Sequence, residues 1–176
     1  MKPLQRASLI VLMLLLSPAL SIAQRTVPAK DSVFVTGSVF NNHDHVKKPV
    51  IYIYDRNELI KRIEVRSSNR FTVNLPINAI LMIEIQAPEF HTKRFIFDTN
   101  LPKEVEEAPT YEFDMDIFSE AELEGVNTSL MDFPIGIVSY NPKKKKFLRN
   151  KDYTKRMKKR YLDLLEEAMM TERAAQ

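Results

Sequence analysis

The sequence lacks cysteine, and it contains only three glycines and three histidines among its 176 residues. Without cysteine the chain has no disulfide, no thiol nucleophile and no residue to which a lipoprotein anchor attaches. No Gly-x-Ser-x-Gly elbow and no glycine-rich phosphate loop occurs, so the motifs of serine hydrolases and P-loop nucleotide-binding proteins are absent. We therefore expect a protein that is held together by its hydrophobic core, is not an enzyme and needs no cofactor.

The N-terminal segment predicts export. Basic residues precede a short apolar run over residues 9–16, and small residues follow up to Ala23. This order is typical of a secretory signal peptide, and the run is short for a transmembrane helix. We expect cleavage of residues 1–23 and a flexible N-terminus over residues 24–30; an uncleaved anchor is the alternative. The expected location is periplasmic or associated with the outer membrane.

Between residues 31 and 118, apolar and polar residues alternate with a period of two, as strands buried on one face require. RFTVNLP and YEFDMDIF show the pattern most clearly. Seven such segments at intervals of about ten residues predict a mainly β fold, a seven-stranded antiparallel β-sandwich. The predicted inward-facing residues are Val33, Val35, Val39, Ile51, Ile53, Ile63, Val65, Phe71, Val73, Leu75, Leu81, Ile83, Ile85, Phe95, Phe97, Phe113, Met115 and Ile117.

The segments VTGSVF, PVIYIYDRNELIKRIEVRSSNRFTVNLP and EFHTKRFIFD occur in this order over residues 33–98. This order resembles the carboxypeptidase regulatory-like domain, whose fold is a transthyretin-like (prealbumin-like) sandwich. The family usually has a glycine before the aromatic residue of its fourth strand, where this chain has Asn69 and Arg70; asparagine also tolerates a left-handed turn. The resemblance implies a non-enzymatic adaptor, and standalone domains of this kind resemble envelope proteins that accompany type IX secretion and gliding machinery.

Transthyretin-like sandwiches also include hydroxyisourate hydrolases, which carry a histidine near their start and a C-terminal Tyr-Arg-Gly-Ser signature. This chain ends in TERAAQ and lacks that signature. A small hydrolase on the same scaffold is an alternative function. It would require a cleft that brings His43 or His91 together with carboxylates.

The pattern changes after residue 118. Residues 119–134 are polar and acidic and predict a long connection, and residues 135–150 predict a β-hairpin around an Asn-Pro turn. Residues 151–176 have helical spacing and predict one amphipathic helix. Its apolar stripe packs either on its own domain or on another protein, and consists of Tyr153, Met157, Tyr161, Leu164, Leu165 and Ala168.

The stretch NNHDHVKKP follows the first predicted strand, where asparagine and aspartate favour a hairpin turn. Histidines two residues apart can also bind zinc or copper, and Asp44 could orient one of them. The stretch is therefore interpreted either as a turn or as a metal site at His43 and His45. Such a site needs a third ligand, and the only other histidine is His91.

Charge is strongly segregated along the chain. Residues 98–133 contain 11 acidic residues and one basic residue, whereas residues 143–160 contain 11 basic residues and one acidic residue. The two blocks either neutralise each other within the fold or attract partners. For an exported protein we expect an envelope protein or complex, anionic lipid or polysaccharide, and no nucleic acid. The predicted contact residues, here called the basic cluster, are Lys143, Lys144, Lys145, Lys146, Lys155, Arg156, Lys158, Lys159 and Arg160.

Overall fold

The computed structural model describes residues 32–66 and 70–174. The predicted signal peptide (residues 1–23), the predicted flexible segment (residues 24–30) and the predicted turn at Asn69 lie outside the described residues. No helix in the described ranges combines the length and the apolar character that crossing a bilayer requires.

The described residues form a mainly β structure with two sheets and one C-terminal helix. All seven predicted segments are strands, namely β1 and β3–β8. The elements are β1 (Ser32–Asn41), β2 (Asp44–His45), β3 (Val50–Asp55), β4 (Glu58–Glu64), β5 (Arg70–Pro76), β6 (Ile80–Gln86), β7 (Lys93–Asp98), β8 (Tyr111–Asp116), β9 (Gly136–Asn141), β10 (Lys146–Arg149) and α1 (Lys151–Ala174).

The predicted count of seven strands is wrong, because the described residues form ten. The additional strands are the two-residue β2 and the two strands of the predicted hairpin, which join a sheet instead of standing apart. The prediction that all strands are antiparallel is also wrong. β8 pairs parallel to β1, and β9 pairs parallel to β7. Parallel neighbours need long crossovers, and the connection over residues 119–134 lies within the one that joins β7 to β9.

β1 is the central strand of the first sheet, between β5 on one side and β8 on the other, and it also forms a short pair with β2. The second sheet has the order β10-β9-β7-β6-β3-β4. β8 pairs with no other described strand, so it forms an edge of the first sheet.

The two sheets share one hydrophobic core. Every predicted inward-facing side chain is buried except that of Ile63, which lies on the outer strand β4 and is half-buried. Aromatic contacts connect the sheets at Phe113, whose ring centroid lies 5.6 Å from that of Phe71 and 4.8 Å from that of Phe95. The prediction that alternating side chains of these strands form one hydrophobic core is confirmed.

A second hydrophobic cluster lies beneath α1. Met157, Tyr161, Leu164 and Ala168 of the predicted stripe are buried there, and the other two stripe residues pack against them. Their partners come from the acidic connection, which forms two short 3₁₀ turns, Ala121–Leu123 and Ser129–Asp132. Leu123 and Met131 of these turns are buried in the cluster. The apolar stripe of the helix therefore packs on its own chain.

Gly37 lies in the middle of β1, where three strands approach one another. A Cβ atom at this position would collide with the Phe113 backbone oxygen and would lie 2.8 Å from Cζ of Phe71. The close approach of β8 and of the Phe71 ring therefore requires a residue without a side chain.

We expect Gly37→Ala to lower the free energy of unfolding by about 1–3 kcal/mol or more, because neither the β8 backbone nor the packed ring can move freely. Urea denaturation measures the effect. Gly136→Ala is the matched control, since the nearest atom to its added Cβ lies 3.6 Å away. Equal stability of the two variants would contradict the argument.

Candidate functional site

The stretch NNHDH forms a tight hairpin turn. Phe40 pairs with His45, and Asn41 pairs with Asp44, which leaves Asn42 and His43 as the loop. Both loop residues have positive φ, 49° for Asn42 and 76° for His43, as type I′ turns require. The expected turn is therefore present at the tip between β1 and β2.

The asparagines of this turn hold the acidic connection. The side-chain amides of Asn41 and Asn42 donate hydrogen bonds of 2.7 and 2.8 Å to the carboxylate of Glu122. The same carboxylate accepts from the backbone and the hydroxyl of Ser119. Burial opposes ionisation, but these hydrogen bonds outweigh it and hold the pKa of Glu122 below its ordinary value. Two residues of the NNHDH stretch thus have a structural role.

The two histidines of the turn have separate environments. His45 stacks on Phe40 with a centroid distance of 4.5 Å, and His43 lies at the loop position. Across residues 32–66 and 70–174, the structure forms no group of three His, Cys, Asp or Glu side chains with the geometry of a metal site. The metal site at His43 and His45 stays a prediction.

The basic cluster occupies two neighbouring places. Lys143–Lys146 surround the turn between β9 and β10, and the other five residues lie on the first half of α1. All nine side chains are exposed. The four-residue strand β10 and Asn150 separate the hairpin turn from the start of the helix.

No ion pair joins the basic and acidic blocks in the described part of the chain. The ion pairs of the acidic block go elsewhere, from Glu112 to Arg70 and from Asp132 to Arg94. Within the basic cluster, Lys159 pairs with Asp163 one helical turn later, at 3.1 Å. The positive charge of residues 143–160 is therefore not neutralised by direct contact with residues 98–133.

A cleft of about 370 Å³ opens between the unpaired edge of β8 on one side and β9 with α1 on the other. Its lining is mostly apolar and comes from both sheets and the helix. The apolar lining includes Phe95, Phe113, Met115, Ile135, Val138 and Leu165.

Lys93 lies in this cleft and is only 4% exposed. Its ammonium group donates to the backbone oxygen of Asp116, and Nζ lies 5.0 Å from the ring centroid of Phe118 and 5.2 Å from that of Tyr161. Burial lowers the pKa of Lys93 to about 8, although the charge of Asp116 opposes this shift and that of Arg149 adds to it. The fold therefore holds a cation in a largely apolar site.

Arg149 also reaches the unpaired edge of β8, from the end of β10. Its guanidinium donates to the Tyr111 hydroxyl at 3.3 Å and to the Asp114 backbone oxygen at 3.5 Å. Lys93 and Arg149 thus cover two carbonyl groups of an edge strand that would otherwise be open to pairing.

The hydrolase hypothesis required a cleft with histidine and carboxylates. His43, Asp114 and Asp116 do line the same cleft. Their side chains are exposed, and no hydrogen bond within the described residues joins the imidazole to either carboxylate. His91 has a buried Nε2 atom without a hydrogen-bond partner in this part of the chain, and it does not line the cleft. The small hydrolase therefore stays a prediction.

Sequence reasoning missed Lys93, although the signal was present. Lys93 lies two residues before Phe95 and four before Phe97 on the same strand, so its side chain points to the same inward face. A lysine at an inward position of a buried strand is rare unless its charge has a partner. The alternation along β7 therefore predicts a buried ammonium group at Lys93.

No family model and no curated protein matches this chain. Among solved structures, it is similar to S.CueP, with a TM-score of 0.38 and 15% identity, over 52% of this chain and 64% of that chain. It is also similar to the dioxygenase domain of a dioxygenase and carbohydrate-binding protein fusion from the cellulolytic bacterium Streptomyces sp. SirexAA-E. That match has a TM-score of 0.35 and 13% identity, over 52% of this chain and 84% of that chain. The chain thus spans less than two thirds of S.CueP, and neither likeness carries an argument about function.

We expect Lys93→Met to change how stability depends on pH. Below about pH 8 the lysine is charged in the folded and unfolded states, so the destabilisation from burying the charge is fully present. Above about pH 8 the folded state releases the proton first, so this destabilisation decreases as the pH rises toward 10.5. The wild type should gain on the order of 2 kcal/mol across that window relative to Lys93→Met.

Urea denaturation at several pH values between 7 and 10 measures this difference. Lys103→Met, which removes an exposed lysine outside the cleft, should keep the wild-type dependence. Parallel pH profiles for the wild type and Lys93→Met would show that the buried ammonium is not destabilising.

Proposed function

We propose that this protein is a non-enzymatic binding or structural component of the bacterial cell envelope, which contacts an acidic envelope protein or another anionic surface through its basic cluster. The observation that carries the proposal is the absence of ion pairs between residues 143–160 and 98–133 in the described part of the chain. Eleven basic residues within 18 positions attract anionic partners when they are not neutralised by the fold.

Helix stability does not account for this arrangement. The helix residues of the cluster begin at Lys155, one turn after the start of α1, whereas the helix dipole acts mainly within the first turn. Asp152 has the favourable sign in that first turn, and the dipole gives no reason for the five cations that follow it. Contact with an anionic partner would give these cations a role that helix stability does not.

The fold supports an adaptor in a further respect. Because the apolar stripe of α1 packs on the acidic connection, the helix presents its charged face as a fixed surface. A surface that is ordered before binding loses less conformational entropy on association than a segment that folds on its partner.

We also propose a fold family and a cellular location for the protein. We take the two sheets to be a transthyretin-like sandwich of the carboxypeptidase regulatory-like kind, since the seven predicted segments form strands around one core. The protein would be periplasmic or associated with the outer membrane after cleavage near Ala23. A complex of the type IX secretion or gliding kind is the proposed class of partner.

The test is salt-dependent recovery of envelope proteins on the immobilised protein, measured by quantitative mass spectrometry. The variant replaces Lys143, Lys144, Lys155 and Arg160 with serine, which removes four exposed cations that form no ion pair among the described residues. Recovery of the partner should fall about tenfold or more and lose most of its dependence on salt. The melting temperature should stay within a few degrees, because exposed charges contribute little to stability.

The control replaces the same number of exposed cations elsewhere, at Lys47, Lys61, Lys103 and Arg173. It has the same net charge as the test variant, so it should keep partner recovery if the position of the charges matters. Equal loss of recovery in both variants would mean that net charge, and not the position of the basic cluster, determines partner binding. Equal retention in both would exclude the basic cluster as the contact surface.

A further inference from the structure

The cleft beside β8 has features that the proposed contact of the basic cluster does not use. It is concave and mostly apolar, and its volume of about 370 Å³ lies in the range of small-molecule sites. It also contains a buried cation, Lys93. These features belong to the interior of the fold rather than to its exposed basic surface.

The ammonium group of Lys93 is only partly satisfied. A lysine ammonium has three N–H donors, and within the described residues Lys93 uses one of them, toward the Asp116 backbone oxygen. The faces of Phe118 and Tyr161 stabilise the charge without accepting a conventional hydrogen bond. Buried charges are normally paired and hydrogen-bonded. Two N–H donors of Lys93 are therefore available to a further acceptor, although the charge of Asp116 already acts on the group.

Two further buried hydroxyl groups lack partners, on residues that line the same cleft. They are Oγ1 of Thr154 and the phenol oxygen of Tyr161, and neither has a hydrogen-bond partner in the described part of the chain. Buried polar side-chain atoms are nearly always paired in folded proteins. The cleft therefore combines an apolar lining with several unused polar groups.

The charges around the cleft favour an anion. Lys93, Arg149 and Lys158 line it, against the carboxylates of Asp114 and Asp116. The two aspartate side chains are exposed and alternate along β8 with buried Phe113 and Met115. Successive side chains of a strand point to opposite faces, so these carboxylates leave β8 on the side away from Phe113 and Met115, although the charge of Asp116 still acts on Lys93. Three cations against two carboxylates leave the surroundings of the cleft with a net positive charge.

We propose that this cleft binds a small apolar carboxylate of the fatty-acid class, with its carboxylate at the Lys93 ammonium group and its hydrocarbon chain against the apolar side chains from β7, β8, β9 and α1. A single negative charge matches the buried cation, and a hydrocarbon chain matches the lining. The site is separate from the basic cluster, apart from Lys158 at its edge.

Isothermal titration calorimetry with decanoate tests the proposal on the purified protein. Decan-1-ol and decyltrimethylammonium have the same chain length and supply the uncharged and cationic controls. We expect saturable binding of one decanoate per chain, at least tenfold tighter than either control. Absence of saturable binding, or equal binding of the three compounds, would overturn the proposal.

Two variants locate the site. Lys93→Met should weaken decanoate binding at least tenfold and leave decan-1-ol unchanged, whereas Lys103→Met should bind decanoate as the wild type does. Leu165→Trp adds bulk to a half-buried residue of the lining and should weaken decanoate and decan-1-ol alike. If Lys93→Met does not fold, Leu165→Trp together with a decanoate-induced shift of the Met115 methyl signal decides the location. Unchanged affinity in Leu165→Trp together with an unshifted Met115 signal would exclude this cleft.

Both variants leave the basic cluster intact. Loss of decanoate binding would therefore leave the salt-dependent recovery of envelope proteins unaffected, and the two proposals can fail independently.

Discussion

The unpaired edge of β8 is the constraint on which the rest of the candidate site depends. β8 pairs with β1 alone, and the close approach of the two strands leaves no room for a side chain at Gly37. The backbone oxygens on the other edge of β8 accept hydrogen bonds from Lys93 and Arg149, two cations that belong to the second sheet. Because cations rather than a further strand cover this edge, a cleft remains between the sheets, and α1 packs beside it.

Periodicity predicted the core well because burial on one face of a strand requires alternation, and alternation is visible in single segments such as RFTVNLP. It did not predict which strands are neighbours. The parallel pairs β1–β8 and β7–β9 connect segments that lie far apart in the chain, and alternation contains no information about pairing direction. The packing of the acidic connection on α1 was not predicted for a related reason, since Leu123 and Met131 are isolated apolar residues within an acidic segment.

The sites show the same division between local and long-range information. The turn chemistry of NNHDH could be read from its residues, whereas the hydrogen bonds from Asn41 and Asn42 to Glu122 join residues about 80 positions apart. The charge segregation is a property of the sequence, but whether the blocks neutralise each other depends on the tertiary structure. In the described residues the ion pairs of the acidic block are with Arg70 and Arg94, and none is with the basic block.

Crosslinking in intact cells, with a tagged protein and mass spectrometry of the linked peptides, tests the central claim most directly. The account predicts reproducible links from the lysines of the basic cluster to one envelope protein. Links from these lysines that reach only the protein's own residues 98–133 would contradict it, because the two charge blocks would then neutralise each other within the fold.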